Sequence, residues 1–534
     1  MATGNEKVLF YYHHSGGQGH ATRIAAICKE LKKRKSCQVI VVNSGRKQLE
    51  LGIERYATVL DLPSLETEAG SSLGLKPDIS FELAFEKRWK ILKKLQSRFR
   101  PDVAVFEDVP FGNVILAQET DSFMELLHKD GCILYLSVRD IVGRSVDVVQ
   151  LLRHVRQFNG ILVHSEKDRE ILINCRDSKE WKEKIFLLES LEHASAGVAA
   201  RLIQVACHME CLKIHLITQC NLVCDMCNWN EKEQFPPFPL EVFQNLVARA
   251  KVVGIREVHV VGGEVTLLPD IRNILQYIRN NGLQVAMSTN GYGVPSKWVE
   301  LAPLIDSVEI SLDSYDARVH DRIRGRSGAF ERTMGTIKLL AGHRMNRHVN
   351  VTVRPDNYRG LHRMISLLEG QIDSISFNLV DMGDDPGKSF VLSEDQLMMF
   401  YFKEVLLILR ECVKRKIRAS SIHPFFKELT GGDAEKMLYE LLARKQEYMR
   451  RLRTIFALDN MTCHFRKQLQ VDVNGEIFCC GFVNGVKAHL GNVIKNDLCD
   501  ILVSDTYFDF FSNICPGEGL CKVCKNFFVM NYGG

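Results

Sequence analysis

Short apolar runs alternate with helix-length stretches along most of this chain, and that rhythm restricts it to parallel α/β architecture. Val8 to Tyr12, Val39 to Asn43, Val103 to Glu107 and Ile133 to Val138 read as strands, with a helical pattern such as Ala21 to Lys33 between the first two. A second series runs through Ile214 to Thr218, Val258 to Gly262, Gln284 to Asn290, Ser307 to Leu312, Asn350 to Arg354 and Ser374 to Val380. Helical patterns such as Leu240 to Val253 and Ile271 to Asn280 separate these runs. Strands joined by helices run parallel, and helices cover the faces of their sheet. The first series, about residues 1–195, is expected to form a doubly wound, Rossmann-like parallel sheet. The second, about 208–425, offers six βα units. In both arrangements ligands gather at the carboxyl ends of the strands.

The first strand of the second series leads straight into CNLVCDMC, which places Cys220, Cys224 and Cys227 in C-x3-C-x2-C spacing. Three thiolates this close hold three irons of a [4Fe–4S] cube and leave the fourth iron without a protein ligand. The simpler alternative is structural zinc, which needs four ligands, with Cys207, His208, Cys211 or His215 as the fourth. The next strand ends in Gly262-Gly263-Glu264.

Cysteine triad and glycine–glycine–glutamate turn together resemble the radical S-adenosylmethionine (radical SAM) enzymes. The resemblance implies an open partial (β/α)6 barrel, SAM on the open iron, and release of a 5′-deoxyadenosyl radical that abstracts a hydrogen atom from substrate. It assigns Gly262, Gly263 and Glu264 to the ammonium of SAM. Further polar residues fall at strand ends: Thr289 and Asn290, Ser311 and Asp313, then Arg354 and Asn357. Of these, Ser311, Asp313 and Arg354 sit where ribose or carboxylate would lie. Arg324 is a second candidate for the carboxylate, since a guanidinium forks onto one well. Met226 and Trp229 are candidate cluster shields or ordinary packing.

Residues 455–534 carry Cys463, Cys479, Cys480, Cys515, Cys521 and Cys524. VDVNGEIFCC reads as a β-hairpin turning at Asn474-Gly475. This segment resembles the SPASM/twitch extension of radical SAM enzymes, which implies a small Cys-rich hairpin-plus-helix domain. The implied ligands of one auxiliary [4Fe–4S] cluster are Cys463, Cys480, Cys521 and Cys524. Cys479 remains an alternative to Cys480, Cys515 is left over, and zinc again competes.

In the first segment, SGGQGHATR, PDVAVFEDVPFGN and LSVRDIVG resemble the acceptor half of GT-B glycosyltransferases. That resemblance implies sugar or glycoconjugate binding at Gly17, Gly19 and His20, although the nucleotide-sugar half of such enzymes is not legible. Ala194 to Ala200, rich in small residues, reads as a linker.

Seventeen cysteines in 534 residues, without an export signal, fit metal ligation in a reducing cytoplasm better than disulfides. A net charge of +4 gives no ground for nucleic-acid binding. No window is apolar enough to span a membrane. The cationic stretches Glu86 to Arg100 and Ala443 to Arg453 read as solvated helix faces. These readings converge on a cytoplasmic radical SAM enzyme with SAM, one SAM-binding cluster and one auxiliary cluster. Flavodoxin or ferredoxin would supply electrons. The expected substrate is a sugar or glycoconjugate, oxidised, epimerised or deoxygenated at carbon. The alternatives are maturation of a ribosomally made peptide and a zinc-binding scaffold without activity.

Overall fold

A computed structural model describes residues 6–13, 19–33, 37–45, 52–63, 81–107, 114–138, 155–174, 182–188, 192–227, 235–379, 390, 392–420, 467–478 and 490–512. The chain divides into two compact units. One comprises Met1–Glu210, Asn245–Ile255 and Asp497–Phe508, the other Cys211–Gln244, Arg256–Asn496 and Asp509–Gly534.

The first unit holds a seven-stranded sheet made of β1 (Glu6–Tyr12), β2 (Cys37–Asn43), β3 (Thr58–Asp61), β4 (Val103–Glu107), β5 (Ile133–Val138), β6 (Gly160–Val163) and β7 (Ile185–Leu187). Its order is β3-β2-β1-β4-β5-β6-β7, and every pairing is parallel. The chain steps outward from β1 to β3 and returns to β4, so the topology switches between β1 and β4. This is the doubly wound sheet expected from the sequence. Strands β4, β5 and β6 are buried along their whole length, as a sheet covered on both faces requires. Three strands escaped the sequence reading: β3 is polar at both ends, β6 is four residues long, and β7 is three.

Two expectations fail in this unit. Ala194 to Ala200 is no linker, because it lies inside the helix Glu192–His208. That helix packs on the helix Gly19–Lys32 and on β1 and β4. Ala196, Ala199 and Ala200 are buried there, and their small side chains permit close approach to the sheet. The helix Phe81–Phe99 is likewise not wholly a solvated cationic face. Arg88 is fully buried, giving Nε to Glu119 Oε2 at 2.7 Å, Nη2 to Ser44 Oγ at 2.6 Å and Nη1 to the Pro63 carbonyl at 2.7 Å. Tyr11 donates to the same Glu119 at 2.8 Å. Arg88→Ala strands a buried carboxylate and is expected to destabilise the protein by about 3–5 kcal/mol. Chemical denaturation checks this. Arg88→Lys should recover only part, because one ammonium cannot replace the fork.

The second unit is built on β8 (Cys211–His215), β9 (Glu257–Val261), β10 (Gln284–Thr289), β11 (Ser307–Ser311), β12 (Asn346–Val353), β13 (Ser374–Leu379) and β14 (Arg418–Ser420). These strands lie side by side in chain order, all parallel. Crossovers between parallel neighbours are right-handed as a rule, which puts the connecting helices on one face and lets the sheet curl as a partial barrel with helices outside. The six expected strands are present. A seventh, β14, was missed because it is only three residues long and begins with arginine.

The hairpin at Asn474-Gly475 also forms. Strand β15 (Gln468–Val471) pairs antiparallel with β16 (Ile477–Phe478), and Gly475 takes φ 79° in the turn. The hairpin is not free-standing, since β15 adds to β8 in parallel and extends the barrel sheet. Cys463, Cys479, Cys480, Cys515, Cys521 and Cys524 lie outside the described residues.

Candidate active site

The carboxyl end of β8 runs into the loop that carries Cys220, Cys224 and Cys227, and backbone holds this loop first. Gly263 N donates to Ile217 O and Glu264 N to Gln219 O, both at 2.8 Å, so the turn after β9 lies flat against the loop. A Cβ on Gly263 would stand 2.1 Å from Gln219 O, and one on Gly262 would stand 2.5 Å from Ile217 O. Only glycine permits that approach. Gly325 ends the helix Ala317–Arg324 with φ +66°, and a Cβ there would stand 2.0 Å from Val223 O.

Polar side chains from successive strand ends complete the grip. Asn290, after β10, gives Nδ2 to Asn221 Oδ1 at 2.7 Å and to the Cys220 sulfur at 3.6 Å. Arg324 Nη1 reaches the Cys224 sulfur at 3.8 Å. Arg326 donates to Asn221 O at 2.8 Å. Arg354, after β12, forks onto Asp225, with Nη2 to Oδ2 at 3.0 Å, and its Nη1 lies 3.4 Å from Met226 Sδ. Asp225 falls between two of the cysteines, so this pair ties the loop to β12.

The nine residues assigned to SAM from the sequence therefore do share one edge of the barrel, but several of their side chains are already committed. Glu264 is fully buried. Its carboxylate accepts from Thr266 Oγ1 at 2.7 Å, Thr289 Oγ1 at 2.9 Å and Asn290 N at 2.8 Å, so it pins β9 to β10. Burial raises its pKa, and these hydrogen bonds work against that rise. Asp313 pairs with Arg324 at 2.7 Å and accepts from Thr352 N at 2.9 Å. Burial disfavours the Arg324 charge, but Asp313 and Cys224 outweigh it and raise its pKa. Arg354 also pairs with Asp356 at 3.0 Å. The carboxylates of Glu264 and Asp313 and the guanidiniums of Arg324 and Arg354 thus build the loop's seat, a role that the sequence reading did not foresee. Ser311 stays half-buried at the end of β11, and Trp229 lies outside the described residues.

The donor set suits an iron–sulfur cube. All three thiols are free and partly exposed. Two of the sulfurs already face N–H donors, which favour thiolate charge. Burial pushes the Cys220 thiol up, and pushes Cys224 up to about 11 against the pull of Arg324. Loading must therefore release protons. Among the described residues no three metal-ligating side chains converge on one point. A cube takes its thiolates at three separate irons and makes no such demand.

The helix-free face of the barrel sheet was missed in the sequence. Its strand positions alternate with the apolar ones and carry Lys213, His259, Ser288, Glu309, His348 and Ser376, where a filled barrel would place branched aliphatics. His259 Nε2 lies 2.8 Å from Ser288 Oγ, which donates to Glu309 Oε2 at 2.7 Å. His348 bonds Ser374 and Ser376, both at 2.8 Å. Burial raises the Glu309 pKa, but His259, Lys213 and His348 outweigh it and lower it to about 2. Burial lowers the pKa of His259 to about 4. One carboxylate thus sits among one ammonium and two imidazoles. The period-two alternation of polar and apolar residues in β8 to β13 was the available signal.

In the first unit, His20 and Gly19 open the helix that follows β1, whereas Gly17 lies outside the described residues. At the switch point His20 Nδ1 lies 3.3 Å from Glu107 Oε1, at the end of β4, and Arg23 Nε donates to that oxygen at 2.7 Å. Beside them Ser137 Oγ lies 2.8 Å from His164 Nε2. Burial of Glu107 is outweighed by His20 and Arg23, which hold its pKa near 2. The structure thus gives His20 charged company that the glycine motif alone did not reveal.

Comparison with known proteins bears on the second unit. Residues 214–368 match the model of the radical SAM superfamily. Over 171 residues, 31% of this chain and 38% of the relative, the chain is 32% identical to the antilisterial bacteriocin subtilosin biosynthesis protein AlbA of Bacillus subtilis (strain 168). It is 27% identical over 317 residues, 58% of this chain and 86% of the relative, to the AdoMet-dependent heme synthase of Methanosarcina barkeri (strain Fusaro / DSM 804). It is 27% identical over 184 residues, 34% of this chain and 42% of the relative, to the sporulation killing factor maturation protein SkfB of Bacillus subtilis (strain 168). The chain thus spans less than half the length of two of these three relatives. The resemblance of the first unit to glycosyltransferases rests on its sequence motifs alone. No helix among the described residues is long and apolar enough to cross a membrane.

Proposed function

We propose that this chain, an enzyme carrying a radical SAM catalytic domain, modifies a ribosomally made peptide at carbon. The observation behind the substrate is the similarity of about a third of the chain to AlbA and SkfB, one named for bacteriocin biosynthesis and the other for killing-factor maturation. The polar inner face supports the same reading, because amides and polar side chains need hydrogen-bonding partners once desolvated. Cys220, Cys224 and Cys227 would hold the cluster, and the backbone of Gly262 and Gly263 would face the ammonium of SAM. When bound, cluster and SAM together supply a 5′-deoxyadenosyl radical that removes a hydrogen atom. The chain's own part is to seat the loop and hold the substrate. Cys463, Cys480, Cys521 and Cys524 would hold an auxiliary cluster with no open iron, which suits electron transfer.

A second reading keeps the sugar or glycoconjugate. It rests on His20, Arg23 and Glu107 at the switch point of the first sheet, where doubly wound folds take ligands. One anaerobic assay separates the two. A pooled library of synthetic peptides and a pool of free and nucleotide-linked sugars are each added with SAM and reductant. The peptide pool is expected to stimulate 5′-deoxyadenosine formation and to yield a peptide of altered mass. Stimulation by the sugars alone overturns the peptide reading.

Glu309→Gln removes the carboxylate that sits among Lys213, His259 and His348. With the substrate so found, kcat/KM is expected to fall about 10–100-fold, the worth of one hydrogen bond to a charged group. Iron content and SAM binding should not change, which iron analysis and calorimetry check.

A further inference from the structure

The cluster loop is gripped from within, yet its outward side is open. Val223, one residue before Cys224, is 67% exposed. Gly325 closes directly on its carbonyl, so the segment after the helix Ala317–Arg324 borders it. Arg326 extends from that border, and its guanidinium lies 4.7 Å from the ring of Tyr292. On the same ring, at 4.6 Å, lies the guanidinium of Arg332. Arg326 and Arg332 are both exposed, and neither forms an ion pair with a carboxylate among the described residues.

Among the described residues, the acids nearby in sequence are engaged elsewhere. Asp225 pairs with Arg354, and Asp356 pairs with Arg354 and with Arg322. Asp321 accepts from the backbone N–H groups of Gly328 and Phe330 at 2.7 and 2.8 Å. Glu331 precedes Arg332 by one residue and so projects about 100° round the helix from it. An exposed apolar side chain in the cysteine loop thus neighbours two exposed guanidiniums stacked on one tyrosine, neither of them ion-paired among the described residues.

We propose that this patch of Val223, Tyr292, Arg326 and Arg332 docks an acidic one-electron carrier protein. The proposal rests on the reading that Cys220, Cys224 and Cys227 hold a reducible cluster. Arginine and tyrosine are favoured contact residues, and unpaired surface cations steer an acidic partner while adding little static affinity. Redox encounters bury little surface and dissociate readily, so a patch of this size suffices.

The test uses the whole chain with its clusters reconstituted and an acidic flavodoxin, reduced beforehand, as the probe. Stopped-flow absorbance gives the second-order rate of cluster reduction at several salt concentrations. Arg332→Glu, which leaves the Arg326 bond to the loop in place, is expected to slow reduction about tenfold at low salt. The gap should close as salt screens the interaction. Photoreduced deazaflavin, a small reductant that needs no docking surface, should reduce variant and wild type alike, with equal iron content. An unchanged flavodoxin rate in both Arg332→Glu and Tyr292→Ala overturns the docking proposal while the cluster reading stands. Failure of wild-type protein to take up iron overturns the cluster reading itself, and the docking proposal with it.

Discussion

Cys224→Ala is expected to bind little iron and to form 5′-deoxyadenosine at least about 1,000-fold more slowly than the parent, because two thiolates cannot hold three corners of a cube. The structure adds a reason specific to this position. Cys224 is the sulfur that faces Arg324, and the Arg324–Asp313 pair beneath it is buried. Removing the sulfur takes away one weak acceptor of that guanidinium while leaving its ion pair, so the fold should survive. Circular dichroism and thermal unfolding should therefore stay close to wild type while iron, sulfide and SAM cleavage fall together. Cys28→Ala is the control. Cys28 is fully buried in the first unit and belongs to no group of three metal-ligating side chains among the described residues, so it behaves as a small core residue, and its loss should lower stability modestly without touching iron. SAM cleavage at the wild-type rate in Cys224→Ala would refute the cluster assignment.

Part of this site was legible because its chemistry demands particular residues at fixed spacing. The C-x3-C-x2-C loop, the Gly262-Gly263-Glu264 turn and six parallel strands each leave a local signature. What those residues touch was not legible. Glu264, Asp313, Arg324 and Arg354 are residue types that bind a zwitterionic ligand. The same types also make buried ion pairs, and only tertiary contacts decide which. Arg354 meets Asp225 across 129 positions of chain, a pairing that no window can show. The loop's polar seat follows from one physical need: it must hold three thiolates in place, so the surrounding charges are engaged with the loop and with one another. The inner face failed to register for a different reason. Lys213, His259, Glu309 and His348 alternate with buried apolar residues in four different strands, and the reading followed the apolar positions. In the first unit, Ala194 to Ala200 was misread because small residues serve both loops and tight helix packing. Burial of Ala196, Ala199 and Ala200 distinguishes the two cases, and burial is not local information.

Gly263→Ala should be among the most damaging single-methyl additions in the chain. Its Cβ would lie 2.1 Å from Gln219 O and 2.5 Å from Thr218 O, and both are backbone atoms that cannot rotate away. Relief requires the turn and the cysteine loop to separate, which breaks Gly263 N to Ile217 O and Glu264 N to Gln219 O. Two lost buried hydrogen bonds plus overpacking cost about 2–4 kcal/mol. The loop, as the more exposed partner, is the part that moves. Iron loading should therefore suffer as well as stability, although no ligand is changed. Gly335→Ala tests whether the effect belongs to the position or to the loss of any glycine. It adds the same methyl within the helix Ala329–Ala341, where nothing lies within 4 Å. There alanine should stabilise by about 0.5–1 kcal/mol, because glycine is the poorer helix residue. Opposite signs in denaturant midpoints, with iron lost only in Gly263→Ala, would establish that backbone contact between turn and loop sets the cysteine geometry. Normal iron and stability in Gly263→Ala would show that the turn does not seat the loop, and the grip would then fall to Asn290, Arg324 and Arg354 alone.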